Sequence, residues 1–213
     1  MPKKPLILVG GGGHCVSCID AIESSDEWEI LGILEREATA VGRRVLGYSV
    51  LGTNEAIPMY VAKGYYFLVT VGQIKSAATR RTLTSLLEKA GARMATVVAA
   101  KSIVSQHATL GEGTIVHHFS VVNAGAVVGK SNILNTGSII EHDVTTGDFC
   151  HISTSAVLNG NVKIGNNCFI GSGVVVLNGL QIADEVVLGA GAIVTKSIHD
   201  SGIYAGVPNK KIK

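Results

Sequence analysis

The stretch that decides the fold is residues 103–198, which divides into sixes without a gap: IVSQHA TLGEGT IVHHFS VVNAGA VVGKSN ILNTGS IIEHDV TTGDFC HISTSA VLNGNV KIGNNC FIGSGV VVLNGL QIADEV VLGAGA IVTKSI. The second position of each block is a branched aliphatic, from Val104 and Leu110 through to Leu188 and Val194, with Thr146 as the exception. The sixth position is small or aliphatic except at Asn132. A period of six matches neither the 3.6-residue repeat of an amphipathic helix nor the alternation of a half-buried strand. It fits a coil of short flat faces, three blocks to a turn, with successive turns stacked about one strand spacing, roughly 4.8 Å, apart. Position-two side chains then form columns inside the coil and are core only. Chemistry must come from residues that break the pattern on the outside: Asn135, Glu141, His142, Asp143 and His151, and beside them His117 and His118.

Working outward toward the N-terminus, the periodicity changes. Residues 5–10, PLILVG, read as a buried strand and Gly10 to Gly13 as a turn. Cys15 to Ser24 then reads as a helix, with Val16, Ile19 and Ile22 at helical spacing. Trp28 to Glu35 is a second strand ending on an acid, and 42–52 a loop with short extended pieces. Residues 56–63 suit a helix, 65–71 a third strand ended by Gly72, 76–90 a helix with Leu83, Leu86 and Leu87 on its apolar side, and 93–98 a fourth strand. Strand, glycine turn, helix, strand is how a doubly wound nucleotide-binding sheet begins. Backbone N–H groups in such a turn, at a helix N-terminus, hold phosphate. The dinucleotide fingerprint is incomplete, since Gly10 and Gly12 fit but Cys15 stands where the third glycine belongs. Glu35 lies at the distance of a ribose-binding acid. The expected organisation is a Rossmann-like α/β domain over 1–100, binding a nucleotide sugar, followed by a left-handed parallel β-helix with a C-terminal tail over 101–213.

Composition narrows the classes. Of 213 residues 46% are hydrophobic, which excludes a disordered chain, and only 5% are aromatic, so Val, Ile, Leu and Ala must fill the core. There are 26 glycines against 4 prolines, as expected for many tight turns made without proline. A net charge of +2 gives no reason to expect a nucleic-acid partner. No apolar run reaches the length of a membrane span, and Leu6 to Val9 is too short for a signal-peptide core. Cys15, Cys18, Cys150 and Cys168 have no disulfide-scaffold spacing, and the C-x-x-C pair has no second pair to complete a metal site. Reduced thiols, no metal and a cytoplasmic location are the expectation.

A glycine turn with a histidine, followed by a hexapeptide coil, resembles the bacterial sugar O-acyltransferase family. That family includes sialic acid O-acetyltransferases and the N-acetyltransferases of 4-amino-4,6-dideoxy sugar nucleotides. The segments that carry the resemblance are LILVGGGGH at 6–14, ILNTGSIIEHDVTTGDFCHIS at 133–153, NVKIGNNCFIGSG at 161–173 and GIYAGVPNKKI at 202–212. They are most similar to the UDP-4-amino-sugar N-acetyltransferases of the bacillosamine pathway. The resemblance implies a homotrimer, acetyl-CoA along the β-helix between neighbouring chains, and a nucleotide sugar, UDP-linked, on the front domain. It implies His142 as general base, supported by Asp143. It puts His151 against the acetyl-CoA thioester, with Ser172 and Ala190 meeting the cofactor through their backbone. Asn135 would lie near the sugar, and Gly12, Gly13 and His14 on the nucleotide, with Glu35 and Gly72 as looser contacts. Two positions depart from that pattern: an acidic pair after the second strand is replaced by Glu35-Arg36, and Gly12 stands where serine is common.

The residue types suit the chemistry. A nucleophile attacking a thioester must lose a proton, and histidine, whose unperturbed pKa is about 6.5, accepts one near neutral pH. A carboxylate beside it fixes the tautomer and stabilises the imidazolium. Glu141 and Asp143 are both adjacent, but neighbours on a strand point to opposite faces, so Asp143 needs a turn at this corner to meet His142. The thioester oxygen gains charge in the tetrahedral intermediate, and a donor there contributes roughly 3 kcal/mol in comparable sites. His151 or a backbone N–H can be that donor. The competing readings are O-acetylation of a sialic acid or similar sugar, a non-catalytic trimeric sugar-nucleotide-binding protein, and, from the glycine turn alone, a nicotinamide-dependent enzyme.

Overall fold

The computed structural model describes residues 2–213 and divides into two compact units. The first runs through Gly72 and includes Ala78–Ala100; the second is Lys101–Lys213 together with the short segment Gln73–Ala77.

The first unit contains β1 (Lys4–Val9), α1 (Gly13–Glu23), β2 (Trp28–Glu35), β3 (Arg44–Val45), β4 (Tyr48–Thr53), α2 (Ile57–Ala62), β5 (Tyr66–Val69), α3 (Ala78–Lys89) and β6 (Arg93–Met94). Its sheet has the order β3-β4-β2-β1-β5-β6, with β1 parallel to both β2 and β5. The chain therefore leaves β1 toward one side and later returns on the other, which opens a crevice at the carboxyl ends of these strands. Leu6, Ile7, Leu8, Val9, Ile33, Leu34, Phe67 and Leu68 are buried, as strands covered on both faces require.

Three local expectations shift. The loop expected at 42–52 is a hairpin, with Arg44 opposite Ser49 and Val45 opposite Tyr48. Leu46 and Gly47, at φ 47° and 89°, form its two-residue turn, the type whose twist matches paired strands. In α1 the inner face is Cys15, Cys18, Ile19 and Ile22, and Val16 points outward. In α3 the inner face is Arg80, Thr84 and Leu87, spaced four and three, and Leu86 is exposed. The Arg80 Nη1 donates to the carbonyls of Val71 at 2.7 Å and Val69 at 3.2 Å, where β5 ends. Burial lowers its pKa to about 10. A charge buried to cap a strand leaves no trace in a hydrophobic pattern. The strand expected over 93–98 is broken into Arg93–Met94 and Val97–Val98.

The second unit is the hexapeptide coil. Two-residue strands recur every six residues from Ile103–Val104 to Ile193–Val194, interrupted only by a three-residue strand at Val186–Leu188. Each strand through Val175–Val176 pairs in parallel with the strand eighteen residues on, so that Ile133–Leu134 sits under His151–Ile152, which sits under Phe169–Ile170. Three faces result. The corners have one geometry throughout: every sixth residue from Gly113 to Gly191 has a positive φ, glycine or not, with Asp143 at 59°. The strand Gly202–Ala205 closes the last turn against Val186–Leu188 and pairs with Lys210–Lys211.

The two exceptions to the repeat meet each other. Asn132 is fully buried, and its Nδ2 donates to Thr146 Oγ1 at 2.9 Å, to the Gly147 carbonyl at 3.0 Å and to the Gly129 carbonyl at 3.2 Å. Its Oδ1 accepts the Cys150 N–H. An asparagine admitted to an aliphatic column needs partners, and the threonine is one of them. All four cysteines are buried free thiols. No helix among the described residues is long and apolar enough to cross a membrane.

Candidate active site

His142 and Asp143 occupy the fourth and fifth positions of the block IIEHDV, at the corner after Ile139–Ile140. The left-handed backbone at Asp143 folds its carboxylate back, so that Oδ2 lies 2.9 Å from His142 Nδ1. Both side chains are exposed, at 63% and 66%. Glu141, the other acid in reach by sequence, instead accepts from Asn123 Nδ2 at 2.8 Å, which leaves Asp143 as the partner of His142. Glycines above and below make the room. A Cβ on Gly160, one turn up, would meet His142 Nε2 at 2.5 Å; one on Gly125, one turn down, would meet Asp143 Oδ1 at 2.4 Å. The imidazole lies against one glycine and the carboxylate against the other. Neither glycine was singled out by sequence reasoning, although each stands eighteen residues from a member of the pair.

Asn135, Ser172 and Ala190 lie at a different corner, the one after the face built by Ile133–Leu134, His151–Ile152, Phe169–Ile170 and Val186–Leu188. Ser172 and Ala190 are exposed, and Ser172 Oγ is 3.0 Å from Ser153 Oγ. Asn135 Nδ2 is 3.2 Å from His151 Nε2. His151 itself is on the flat face and only 6% exposed. Its Nδ1 is 2.6 Å from the carbonyl of Gln73, and its ring meets Phe169 edge-on at 5.3 Å. The buried Gln73 also donates its Nε2 to the Cys168 carbonyl at 3.2 Å. The chain thus brings His142 to Asp143, and Asn135 to His151, but keeps the two groups on separate corners.

In the first unit the glycine turn is braced from two sides. Glu35 Oε1 accepts the Gly11 N–H at 2.9 Å and Arg43 Nη2 at 2.8 Å, and Arg43 also donates to the Gly11 carbonyl at 2.9 Å. Thr70 Oγ1 donates to the Gly10 carbonyl at 2.6 Å. Gly12 caps α1 without a side chain of its own, Gly13 opens the helix and His14 follows, so this N-terminus presents backbone N–H groups at an exposed point. Gly72 passes close to His14, with only 3.3 Å between a Cβ placed there and the His14 Cβ. Cys15, in place of a third glycine, is buried, which pushes its thiol up to about 11. Beside this turn is a cavity of about 510 Å³ bordered by Gly10, Glu35, Arg36, Asn54, Val71 and Leu83. A cleft at the carboxyl ends of parallel strands is where such sheets bind ligands. Arg43 and Thr70 were not anticipated, because each acts on the turn from far along the chain.

Comparison with known proteins follows the same division. Residues 5–85 match the PglD N-terminal domain, and 143–178 and 161–196 match the bacterial transferase hexapeptide, six repeats. The structure of PerB from Caulobacter crescentus, in complex with CoA and GDP-perosamine, is similar over 98% of this chain and 97% of that one, at 28% identity and a TM-score of 0.90. The acetyltransferase domain of PglB from Neisseria gonorrhoeae FA1090, in complex with acetyl coenzyme A, is similar over 99% and 100%, at 28% identity and a TM-score of 0.90. The chain thus joins a PglD N-terminal domain to bacterial transferase hexapeptide repeats, the make-up of a sugar acyltransferase. WeeI from Acinetobacter baumannii AYE, at 23% identity and a TM-score of 0.85, shares the fold. No curated protein matches the chain significantly.

For a sugar acyltransferase the two units supply different parts. In the hexapeptide coil His142 and Asp143 join an imidazole to a carboxylate, and both side chains face outward. The braced glycine turn and the cavity beside it lie in the first unit, where backbone N–H groups at a helix N-terminus suit an anionic ligand.

Proposed function

We infer that this protein transfers the acetyl group of acetyl-CoA to the 4-amino group of a nucleotide-linked 4-amino-4,6-dideoxy sugar, with His142 as general base. The observation that carries the reading is the exposed His142–Asp143 pair, 2.9 Å apart and flanked by glycines. The similar structures that hold CoA, acetyl coenzyme A and GDP-perosamine support the choice of substrates.

The amino nitrogen attacks the thioester carbonyl, forming a C–N bond. As it does, it passes a proton toward His142 Nε2, whose opposite nitrogen is held by Asp143. The carboxylate keeps Nδ1 protonated and Nε2 open to accept, and steadies the imidazolium once it forms. Collapse of the tetrahedral intermediate breaks the C–S bond and releases CoA, whose sulfur takes up a proton. Ser172 and Ala190, through their backbone, line the path of the acetyl-CoA, and Asn135 is on the sugar side. The nucleoside diphosphate sits at the turn of Gly12, Gly13 and His14, with Glu35 and Gly72 close by; the sequence resemblance favours uridine as the base.

Because His142 and the Asn135 corner are on different edges of one coil, a site using both needs a second chain, and a homotrimer supplies it. The test combines the protein with acetyl-CoA and, in parallel, UDP- and GDP-linked 4-amino-4,6-dideoxy sugars, and follows release of free thiol. The expected outcome is turnover with one of the amino sugars, falling by roughly 10²–10⁴ in His142→Ala. Turnover on a sialic acid with none on any amino sugar, or an undiminished rate in His142→Ala, overturns the reading. Sedimentation should give three times the chain mass of 22.1 kDa.

A further inference from the structure

Arg80 is the largest fully buried side chain among the described residues, and it lies on the inner face of α3 where an apolar residue is expected. Its Nη1 donates to the carbonyls of Val71 and Val69 at the end of β5. A neutral amide can donate to those carbonyls at a far smaller desolvation cost than a guanidinium. Burial lowers the pKa of Arg80 only to about 10, so the group is still charged at neutral pH. The charge itself therefore calls for a role beyond the two hydrogen bonds.

The segment that Arg80 holds is the wall of the glycine turn. Between the two carbonyls, Thr70 donates its N–H to the Val9 carbonyl at 2.9 Å and its Oγ1 to the Gly10 carbonyl at 2.6 Å. Val71 fills the space beside Gly10, where a Cβ would lie 2.4 Å from Val71 Cγ2. Gly72 follows and passes against His14. The guanidinium also acts on α1. Cys18 is fully buried; burial raises its thiol, and the Arg80 charge works in the opposite sense. Cys18 follows His14 by four residues, one helical turn, and lies about 7.5 Å along the axis from Gly13. The partial charge of the exposed N–H groups at that N-terminus and the full charge beneath them therefore add at the turn. Salt screens a buried charge far less than an exposed one.

We propose that Arg80 is a positioning residue for the nucleotide: its buried guanidinium holds the end of β5 against the glycine turn and supplies, from beneath α1, the positive charge that favours the second phosphate of a nucleoside diphosphate. This role rests on the nucleotide site in the reading above and does not depend on acetyl transfer. The nucleoside occupies the cavity beside Gly10 and Glu35, and the second phosphate is the part that reaches the N-terminus of α1.

The test is calorimetric titration of UDP, UMP, GDP and GMP into the protein and into Arg80→Gln and Arg80→Lys. Arg80→Gln keeps a donor for the carbonyls and removes the charge, whereas Arg80→Lys keeps the charge. For the base that binds, Arg80→Gln should weaken the diphosphate about 10-fold and the monophosphate no more than about 2-fold, and Arg80→Lys should stay within about 3-fold of the parent for both. Equal weakening of diphosphate and monophosphate in Arg80→Gln shows a residue that only maintains the fold of the turn, and overturns the proposal. So does an unchanged diphosphate affinity, or a loss in Arg80→Lys as large as in Arg80→Gln. Cys18→Asp places a carboxylate beside the guanidinium without removing it, and should reproduce the selective loss. Where melting shows that Arg80→Gln does not fold, Cys18→Asp decides, and an undiminished preference for the diphosphate counts against the role. A parent protein that binds neither diphosphate overturns this role together with the nucleotide site. One that binds a diphosphate but transfers no acetyl group sinks the acetyl-transfer reading alone.

Discussion

His142 and His151 are nine residues apart in the same coil, yet the fold treats them in opposite ways. His142 is on a corner, half open to solvent, with a partner one residue away and a glycine one turn up against its ring. His151 is on a flat face, almost fully covered, with partners sixteen and seventy-eight residues away. The repeat decides which way each side chain points. Whether the ring is available for chemistry is decided by what lies outside the repeat. The difference teaches that disturbing the covered histidine's surroundings should cost structure, while disturbing the exposed one's should cost rate.

The largest effect should come from the covered side. Asn132 accepts the N–H of Cys150, the residue before His151, and donates to Thr146 and two carbonyls. Asn132→Ala leaves those groups buried without partners, a loss of about 3 kcal/mol at the upper end for one buried polar group. For a chain of this size that lowers Tm by roughly 6–12 °C, measurable by circular dichroism. A variant that melts with the parent protein would show that the buried polar plug is dispensable and would blur the comparison.

How much of this was legible beforehand depends on whether a residue acts through the period or across it. The aliphatic columns, the corners and the direction of His142 follow from counting by six. The violations at Asn132 and Thr146 were visible as violations, but fourteen residues of separation in a coil of eighteen-residue turns does not announce a hydrogen bond. Gln73 and Arg80 were invisible for a different reason. Gln73 belongs in sequence to the first unit and in space to the second, and Arg80 is a charge on the inner face of α3 where only apolar residues are expected. In the first unit the strand, turn and helix order is clear from the sequence, but that Glu35 also braces Gly11 together with Arg43 is not. Pattern reading assigns elements; it does not assign partners that come from elsewhere in the chain.

The second test strikes the exposed side. Gly160→Ala puts a methyl group where His142 Nε2 and Cε1 now lie, 2.5 and 2.6 Å away, and the ring, being the far end of an exposed side chain, must swing aside. Displacement of a general base by about 1 Å can cost roughly 100-fold in rate. The expected result is a kcat lower by about that factor with Tm nearly unchanged, since the ring moves into solvent and no core contact is lost. A fall in Tm as large as that of Asn132→Ala, with kcat intact, would reverse the roles assigned to the two histidines.

The smallest of the three effects isolates one carboxylate. Asp143 combines two tasks, since its backbone makes the corner at φ 59° and its Oδ2 holds His142 Nδ1. Asparagine shares the tolerance for left-handed backbone that makes aspartate acceptable there, so Asp143→Asn removes the charge while leaving the corner its preferred residue type. The amide oxygen can still accept from Nδ1–H, but it offers no charge to the imidazolium. The pair is exposed, so water screens much of that loss, and a drop of about 10-fold in kcat is expected where a buried pair would give far more. Asp143→Ala loses the hydrogen bond and the left-handed preference together, and should fall further in rate and lower Tm slightly. If Asp143→Asn keeps the parent rate while Asp143→Ala does not, the carboxylate serves the corner's geometry and His142 acts without electrostatic help from its neighbour.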